Sequence, residues 1–475
     1  MRFLLINPKN KLYLSRGEEP DDQILDLLLP PLGLLYTASC LENNGHSVEI
    51  IDLNFEKKPI ELILKKITNY DVVGLNIYTN YDYKEINHLL FKIKDIDSNI
   101  IIIIGGPHCT FQPKKSLQDI PLADFSIEGE SELILPRLVK QLEEGTESYS
   151  IPGVNYRTKK GVVKGNPAKI IMNLDDLCFP SRHLIKKYNY GLRINGVYYK
   201  DKMTSISTSR GCPFHCRFCP TNVRTIKSYR RRSVDDVVDE FIQINQDYSS
   251  VVIVDDCFLV SNKRSHELFD KLIKNNIDLE LIVMGTRIDF ADRVLYKKMK
   301  KAGVSFIFYG IESGNQDVLN YYRKGITVDQ IKETIQLANK MNIRTIGSFI
   351  FGAPFETKKH IEKTISFAKK LPLDFAMFNI LSYTYRSDLW FEAVESGKIS
   401  ADDRYLVVAN NDQRLSLLTT QELFNYCEKA YKNFYVNPSY LFNQLQKSLK
   451  QRDYFLLRLL LHTVISKTKD KIQVI

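Results

Sequence analysis

Cys212-Pro213-Phe214-His215-Cys216-Arg217-Phe218-Cys219 gathers three of the chain's eight cysteines into one short stretch. Thiols at C-x-x-x-C-x-x-C spacing can converge on one centre when a loop wraps round it. A cubane iron–sulfur cluster held by three cysteines leaves its fourth iron open, and that open iron is where chemistry can happen. Two other readings fit the spacing alone. A zinc tetrahedron needs a fourth ligand, which His215 or Cys178 could supply. Three unrelated thiols could also be buried as small apolar groups, although their crowding into a Gly- and Pro-containing loop argues against this. The surroundings have to decide.

Working outward, the loop follows an apolar stretch at 204–208 that is the first of six. The next four lie at 250–254, 281–284, 305–309 and 345–351. They lead in turn into Asp255-Asp256, Gly285-Thr286-Arg287, Gly310-Ile311-Glu312-Ser313-Gly314 and Gly352-Ala353-Pro354. The sixth lies at 375–382. Helical periodicity fills the gaps at 233–245, 265–275, 292–302, 327–341 and 357–370. Six β/α units predict a partial (β/α)6 TIM-like barrel over 201–400, with functional groups on the loops at the C-terminal ends of the strands. There Asp255, Asp256 and Arg287 could orient a ligand, or could be ordinary ion pairs of a barrel rim.

Upstream, residues 1–145 alternate apolar strands at 2–6, 47–51, 72–77, 100–104 and 125–128 with helical patterns such as 33–43 and 83–96. This α/β alternation predicts a doubly wound, Rossmann-like parallel sheet whose ligand binds at the carboxyl ends of the strands. Those ends read Asn7-Pro8, Gly105-Gly106-Pro107-His108-Cys109-Thr110 and Glu128-Gly129-Glu130. Paired glycines let a flat ligand or a phosphate approach the backbone, but they also serve plain turns. Residues 146–200 read as a linker with a small hairpin and no chemistry of its own. Residues 401–475 predict a C-terminal helical region with helices at 419–435 and 438–466. Lys447, Lys450, Arg452 and Arg458 make it basic. Leu456, Leu457, Leu459, Leu460, Leu461 and Val464 offer a face for packing on the barrel, in preference to a membrane surface.

At 475 residues, 44% hydrophobic and 26% charged, the composition is that of a globular protein of about three domains. The N-terminus reads as a first strand rather than a signal peptide, and no run reaches the roughly 20 apolar residues needed to span a bilayer. A cytoplasmic protein without a transmembrane segment is therefore expected. Eight cysteines, three of them bunched, do not suit a disulfide framework. The net charge of +10 permits acidic partners without demanding nucleic acid, and none is expected.

Taken together, the cysteine loop after a strand, Phe218 before its last cysteine, Gly310 to Gly314, and Gly347-Ser348-Phe349-Ile350-Phe351-Gly352 resemble the radical S-adenosylmethionine (SAM) enzymes. Arg230-Arg231-Arg232-Ser233-Val234, Pro30-Pro31-Leu32-Gly33-Leu34-Leu35, Gly105-Gly106-Pro107-His108 and Gly129-Glu130 resemble the branch with an N-terminal cobalamin-binding domain. The resemblance implies that Cys212, Cys216 and Cys219 hold a [4Fe-4S] cluster whose open iron binds SAM. It places Phe218 near the adenine and Glu312 near the ribose hydroxyls, with Ser313, Asp255 and Arg287 at the same site. It places cobalamin over the first sheet, near Gly105, Gly106, His108, Thr110, Glu128 and Gly129. The implied activity is methyl transfer to an unactivated carbon through a 5′-deoxyadenosyl radical. The alternative is cyclisation, rearrangement or oxidation on the same architecture.

The chain departs from the family pattern in two places. No Asp-x-His-x-x-Gly loop follows the first strand, where Asn7-Pro8-Lys9-Asn10 stands instead, so no histidine is offered there to cobalt. Leu381-Ser382-Tyr383-Thr384-Tyr385-Arg386-Ser387 replaces a Pro-Gly-Thr turn, which changes the shape and charge of a substrate corner. A methylthio-transferase would need further cluster cysteines, and only Cys40, Cys109 and Cys178 stand upstream. The expected partners are a small-molecule, lipid or peptide substrate and an electron donor such as flavodoxin or ferredoxin.

Overall fold

The computed structural model describes residues 1–9, 25–78, 83–146, 149–194, 197–221, 228–290, 292–401, 406–408 and 415–451. Asn10, Arg452, Arg458 and the leucine-rich stretch from Leu456 to Val464 lie outside the described residues. Those described in Met1–Tyr13, Leu29–Asn189 and Arg224–Arg232 form one compact unit, and those in Leu14–Leu28, Tyr190–Val223 and Ser233–Ile475 form the other.

In the first unit, β1 (Arg2–Asn7) is a continuous apolar run, as a strand covered on both faces must be. It is followed by α1 (Leu32–Asn43), β2 (Ser47–Asp52), β3 (Val72–Asn76), α2 (Tyr83–Ile96), β4 (Ile101–Gly105), β5 (Phe125–Ile127), α3 (Ser131–Glu143), β6 (Val154–Thr158) and β7 (Gly161–Val163). The sheet order is β2-β1-β3-β4-β5-β6-β7. The first five strands are parallel, and the β6–β7 hairpin adds an antiparallel edge. The small hairpin expected within 146–200 is therefore part of this sheet. Alternate residues serve opposite layers. Leu4, Ile6, Val73, Leu75, Ile102 and Ile104 share a core with Ile86, Leu89, Leu90 and Ile93 of α2. Phe3, Val72, Ile103 and Phe125 share another with Leu135, Leu138 and Val139 of α3. The strand order reverses between β1 and β3, and such a switch point opens a crevice at the carboxyl ends.

The second unit holds six parallel strands in sequential order: β8 (Met203–Ile206), β9 (Ser250–Ile253), β10 (Glu280–Thr286), β11 (Val304–Glu312), β12 (Arg344–Phe351) and β13 (Phe375–Ile380). The first and last do not pair, so the barrel is partial. Between the strands run α4 (Val234–Asp247), α5 (Asn262–Lys274), α6 (Arg293–Lys301), α7 (Gln316–Tyr321), α8 (Val328–Lys340) and α9 (Lys358–Lys370). Their starts are written in the sequence: the Ser233 hydroxyl accepts from Asp236 N, and Thr327 and Gln330 form a reciprocal capping box. α10 (Thr420–Tyr435) lies along β13, where Phe378 N donates to the Tyr431 hydroxyl at 3.1 Å. α11 (Pro438–Gln451) is tied down by Lys447, whose ammonium reaches both oxygens of fully buried Asp374 at 2.8 and 2.9 Å.

Three details differ from expectation. β11 does not stop at Tyr309 but runs on to Glu312, with an irregularity in its pairing between Gly310 and Glu312. β13 ends at Ile380, and Ser382–Thr384 instead pairs antiparallel with Leu406–Val408. Leu25–Leu28 is a strand of the second unit, antiparallel to Gly191–Ile194, which also pairs with Val197–Lys200. Among the described residues no helix is long and apolar enough to cross a membrane.

Candidate functional site

The cysteine loop leaves the carboxyl end of β8, and the neighbouring strand ends hold it in place. Asp255, after β9, is 4% exposed. One of its carboxylate oxygens accepts from Thr208 N at 2.6 Å, and the other from the Thr208 and Ser209 hydroxyls at 2.6 and 2.5 Å. Burial pushes its pKa up against the pull of those donors. Asp255 thus works on the protein itself, fixing the strand end from which the loop departs. Asp256 accepts from Gly211 N at 3.1 Å, one residue before the first cysteine. At Gly285, with φ +63°, an added Cβ would collide with the Asp255 carbonyl oxygen, so only glycine lets β10 pass this close.

The loop's own side chains are clamped from the stretch after α7. Arg217 N donates to the Tyr322 carbonyl at 3.1 Å, and the Arg217 guanidinium lies 4.2 Å from the Tyr321 ring centroid. Phe218 meets the Tyr322 ring edge-on, with centroids 5.2 Å apart. Arg287 covers the Phe214 ring at 3.7 Å, forms two 2.9 Å hydrogen bonds with the Asp289 carboxylate and donates to the Lys324 carbonyl at 2.7 Å. Glu312 ends β11 in the left-handed region, φ +66°, a conformation that costs a non-glycine residue energy and collects at functional sites. Its carboxylate receives the Lys324 ammonium at 2.6 Å, with both side chains buried. Beside it, the Ser313 hydroxyl bonds with Thr364 and accepts from Asn315 N, each at 3.1 Å.

The three thiols are each partly exposed and lie in one another's electrostatic field. The Cys212 thiol is held below the usual thiol range, chiefly by a hydrogen bond from Cys257. Burial raises Cys216, while the Lys324 and Arg287 cations pull it back down. Burial likewise raises Cys219, opposed by hydrogen bonds from Thr221, whose hydroxyl is 3.1 Å from the sulfur. Cations beside thiols favour the thiolate, which is the ligand form. Among the described residues no group of three or more His, Cys, Asp or Glu is close enough to hold a single metal ion. The donor set of three soft sulfurs backed by two cations would suit an iron–sulfur cluster, in which each thiolate takes a different iron.

In the first unit the strand ends are shaped by backbone. Gly106 has φ +100°, and a side chain there would run into Asn76 Oδ1 and the Ile77 backbone. The preceding Gly105 ends β4, and its carbonyl accepts from Ile77 N at 2.7 Å. The Thr110 hydroxyl joins the two glycine turns, donating to the Gly106 carbonyl at 3.0 Å and accepting from Gly129 N at 3.1 Å. Glu128 N donates to the Gly153 carbonyl at 2.8 Å. The result is a bare backbone ledge beside the switch point, suited to a large flat ligand. His108, expected near the cofactor, is buried: it is 2% exposed, stacks on Tyr83 at 4.9 Å, and its Nε2 lies 3.0 Å from Asp119 Oδ2. Buried Arg230 holds Glu130 through two hydrogen bonds, at 2.8 and 2.9 Å. The sequence reading missed Lys324 and Cys257. Neither stands at a diagnostic spacing, and only the fold brings them to the cysteines.

Models of two families match the chain: the radical SAM superfamily over residues 206–368 and the B12 binding domain over residues 25–139. An uncharacterized methyltransferase of Pyrococcus horikoshii is 31% identical over 451 residues, covering 94% of this chain and 95% of that protein. An anaerobic magnesium-protoporphyrin IX monomethyl ester cyclase of Rubrivivax gelatinosus is 26% identical over 468 residues, 96% of this chain and 81% of that protein. Among solved structures, the radical S-adenosylmethionine methyltransferase TsrM of Kitasatospora setae shares the fold. Its TM-score is 0.68 at 18% identity, over 87% of this chain and 82% of that one.

Proposed function

Because the chain belongs to the radical SAM superfamily, in the branch with a B12 binding domain ahead of the radical domain, we propose that it is a cobalamin-dependent methyltransferase acting on an unactivated carbon. The observation that carries this reading is the pairing, in one chain, of a glycine-ledged parallel sheet with a cysteine-bearing partial barrel. The relative that matches over nearly its whole length is itself named a methyltransferase.

Cys212, Cys216 and Cys219 hold the [4Fe-4S] cluster. Phe218, fixed against Tyr322, flanks the SAM adenine, and Glu312 accepts from its ribose hydroxyls, as ionised carboxylates suit hydroxyl donors. Ser313 keeps the backbone after Glu312 in place through Thr364 and Asn315. Arg287 steadies the loop through Phe214, and Asp255 supports it from beneath. Gly105, Gly106, Thr110, Glu128 and Gly129 form the ledge for cobalamin, with His108 packed behind it. When bound, the cluster and SAM supply a hydrogen-abstracting radical and cobalamin carries the methyl group, while the protein aims them. The substrate is a small molecule, lipid or peptide. An electron donor such as flavodoxin or ferredoxin is required, and the cytoplasm suits thiols that must stay reduced.

The test is anaerobic reconstitution with iron, sulfide and cobalamin, followed by incubation with SAM, reductant and candidate substrates. The expected products are S-adenosylhomocysteine and 5′-deoxyadenosine together, with cobalamin retained. The similarity to a cyclase supports one second reading, radical chemistry without methyl transfer. Formation of 5′-deoxyadenosine alone would select it.

A further inference from the structure

Helix α11 meets the barrel with its polar side. Lys447 and Gln444 donate to the Asp374 carboxylate at 2.8 and 3.3 Å, the Tyr440 hydroxyl donates to the Asp374 carbonyl at 2.9 Å, and Ser448 is fully buried. Its apolar residues point the other way. Leu441, Phe442, Leu445 and Leu449 are between 38% and 59% exposed. At 3.6 residues per turn they fall in one stripe about 100° wide. A helix that packs by its apolar stripe does the reverse. Single exposed leucines are ordinary, but four apolar side chains on one stripe mark a surface made for a partner. With 14 residues the helix is too short to span a bilayer, so it can only lie on one.

Charge selects the partner. Residues 438–451 contain no Asp or Glu. Residues 438–475 hold seven Lys and Arg against two Asp, a net charge of +5 in 38 residues and half of the +10 of the whole chain. The helix also borders a cleft of about 640 Å³ lined by Lys369, Lys370, Lys447 and Lys450 and by no carboxylate. Two copies of such a face would set lysines against lysines. A protein partner would need a groove matched to a convex row of leucines. A fluid layer of acyl chains under anionic headgroups takes the stripe as it is, and lysine side chains on the helix flanks reach to the headgroups. We propose that α11 docks the protein on an anionic lipid surface, with Leu441, Phe442, Leu445 and Leu449 among the acyl chains. Its anchor, Asp374, immediately precedes β13, so the helix is fastened at the end of the barrel opposite the cysteine loop.

The experiment mixes the full chain with vesicles of phosphatidylcholine alone, or of phosphatidylcholine and phosphatidylglycerol in equal parts, and reads the bound fraction by flotation. The wild type is expected to float with the anionic vesicles and to stay behind with phosphatidylcholine alone. High salt should release it, because the attraction between exposed charges is screened. Leu441→Ser/Leu445→Ser removes half of the stripe and should weaken binding by about tenfold or more, with the melting temperature and the mass in solution unchanged, since both sites are exposed. Lys450→Gln should weaken it about fivefold. A wild type that floats with neither vesicle or equally with both overturns the proposal, as does a serine variant that floats like the wild type. A wild-type dimer that the serine variant splits into monomers assigns the stripe to a second copy of the chain and overturns it too. Should the serine variant fail to fold, undiminished flotation of Lys450→Gln and of the wild type in high salt overturns the proposal in its place.

Discussion

The loop after β8 and the ledge after β4 both stand at the carboxyl ends of parallel strands, yet they are built by opposite means. The barrel loop is held by side chains: carboxylates on backbone N–H groups, guanidinium groups on rings, and a lysine on a glutamate. The ledge is shaped by missing side chains, with two glycine turns joined through one threonine hydroxyl. A site that must bind and charge a small cluster needs fixed charges nearby. A site for a large flat cofactor needs clear backbone. Substitutions should therefore fail differently in the two places, through lost partners in the barrel and through added atoms on the ledge.

The largest expected effect is at Asp255. Asp255→Ala strands the Thr208 N–H and the Thr208 and Ser209 hydroxyls in a buried site, at a cost of about 3 kcal/mol. Denaturant unfolding of the cluster-free protein would measure it. Asp255→Asn keeps the acceptor oxygen and should recover about half of that loss. Next is the ledge. Gly106→Ala forces a Cβ into Asn76 at a positive φ. It should destabilise the first unit by about 2 kcal/mol and lower cobalamin retention without altering the cluster's spectrum. A lost cluster signal in Gly106→Ala would break the comparison.

The smallest effect comes from a residue that mixes the two styles. Glu356, fully buried after β12, uses its carboxylate on backbone, accepting from Gly352 N at 2.6 Å and Ala353 N at 3.1 Å. Burial raises its pKa from 4.5 to about 7, against those donors. The folded state therefore keeps a proton that the unfolded chain releases near pH 4.5. The resulting stabilisation is complete below that value and is lost as pH rises through about 7. Stability should fall by about 1 kcal/mol between pH 6 and 7, and Glu356→Gln should flatten that slope in thermal melts.

What was legible beforehand follows the same division. The continuous apolar runs of β1 to β4 and the polar ends of β8 to β12 mark both layers of the fold, because burial on two faces and catalysis at strand ends each leave a local signature. The cysteine triplet was equally plain, since its spacing is local. Lys324 and Cys257 could not be read, because the turn after α7 and the pairing of β8 with β9, which bring them to Glu312 and Cys212, leave no spacing signal in the sequence. Leu25–Leu28 was overlooked for the same reason: its pairing partner, Gly191–Ile194, lies more than a hundred and sixty residues away. Asp255 was placed at the right strand end, but its task could not be read. Whether a carboxylate faces a ligand or the turn beneath it depends on the Thr208 and Ser209 hydroxyls, and these look like ordinary strand residues in the sequence.

The central claim is that three cysteines and no fourth protein ligand hold a cluster that receives SAM. Its most direct test is paramagnetic resonance of the anaerobically reconstituted, reduced protein, with and without SAM, in the wild type and in Cys212→Ala/Cys216→Ala/Cys219→Ala. The account predicts a cubane signal in the wild type that changes when SAM is added, and no signal in the triple variant. A full cubane signal in the triple variant, or one zinc with neither iron nor sulfide in the wild type, would contradict it.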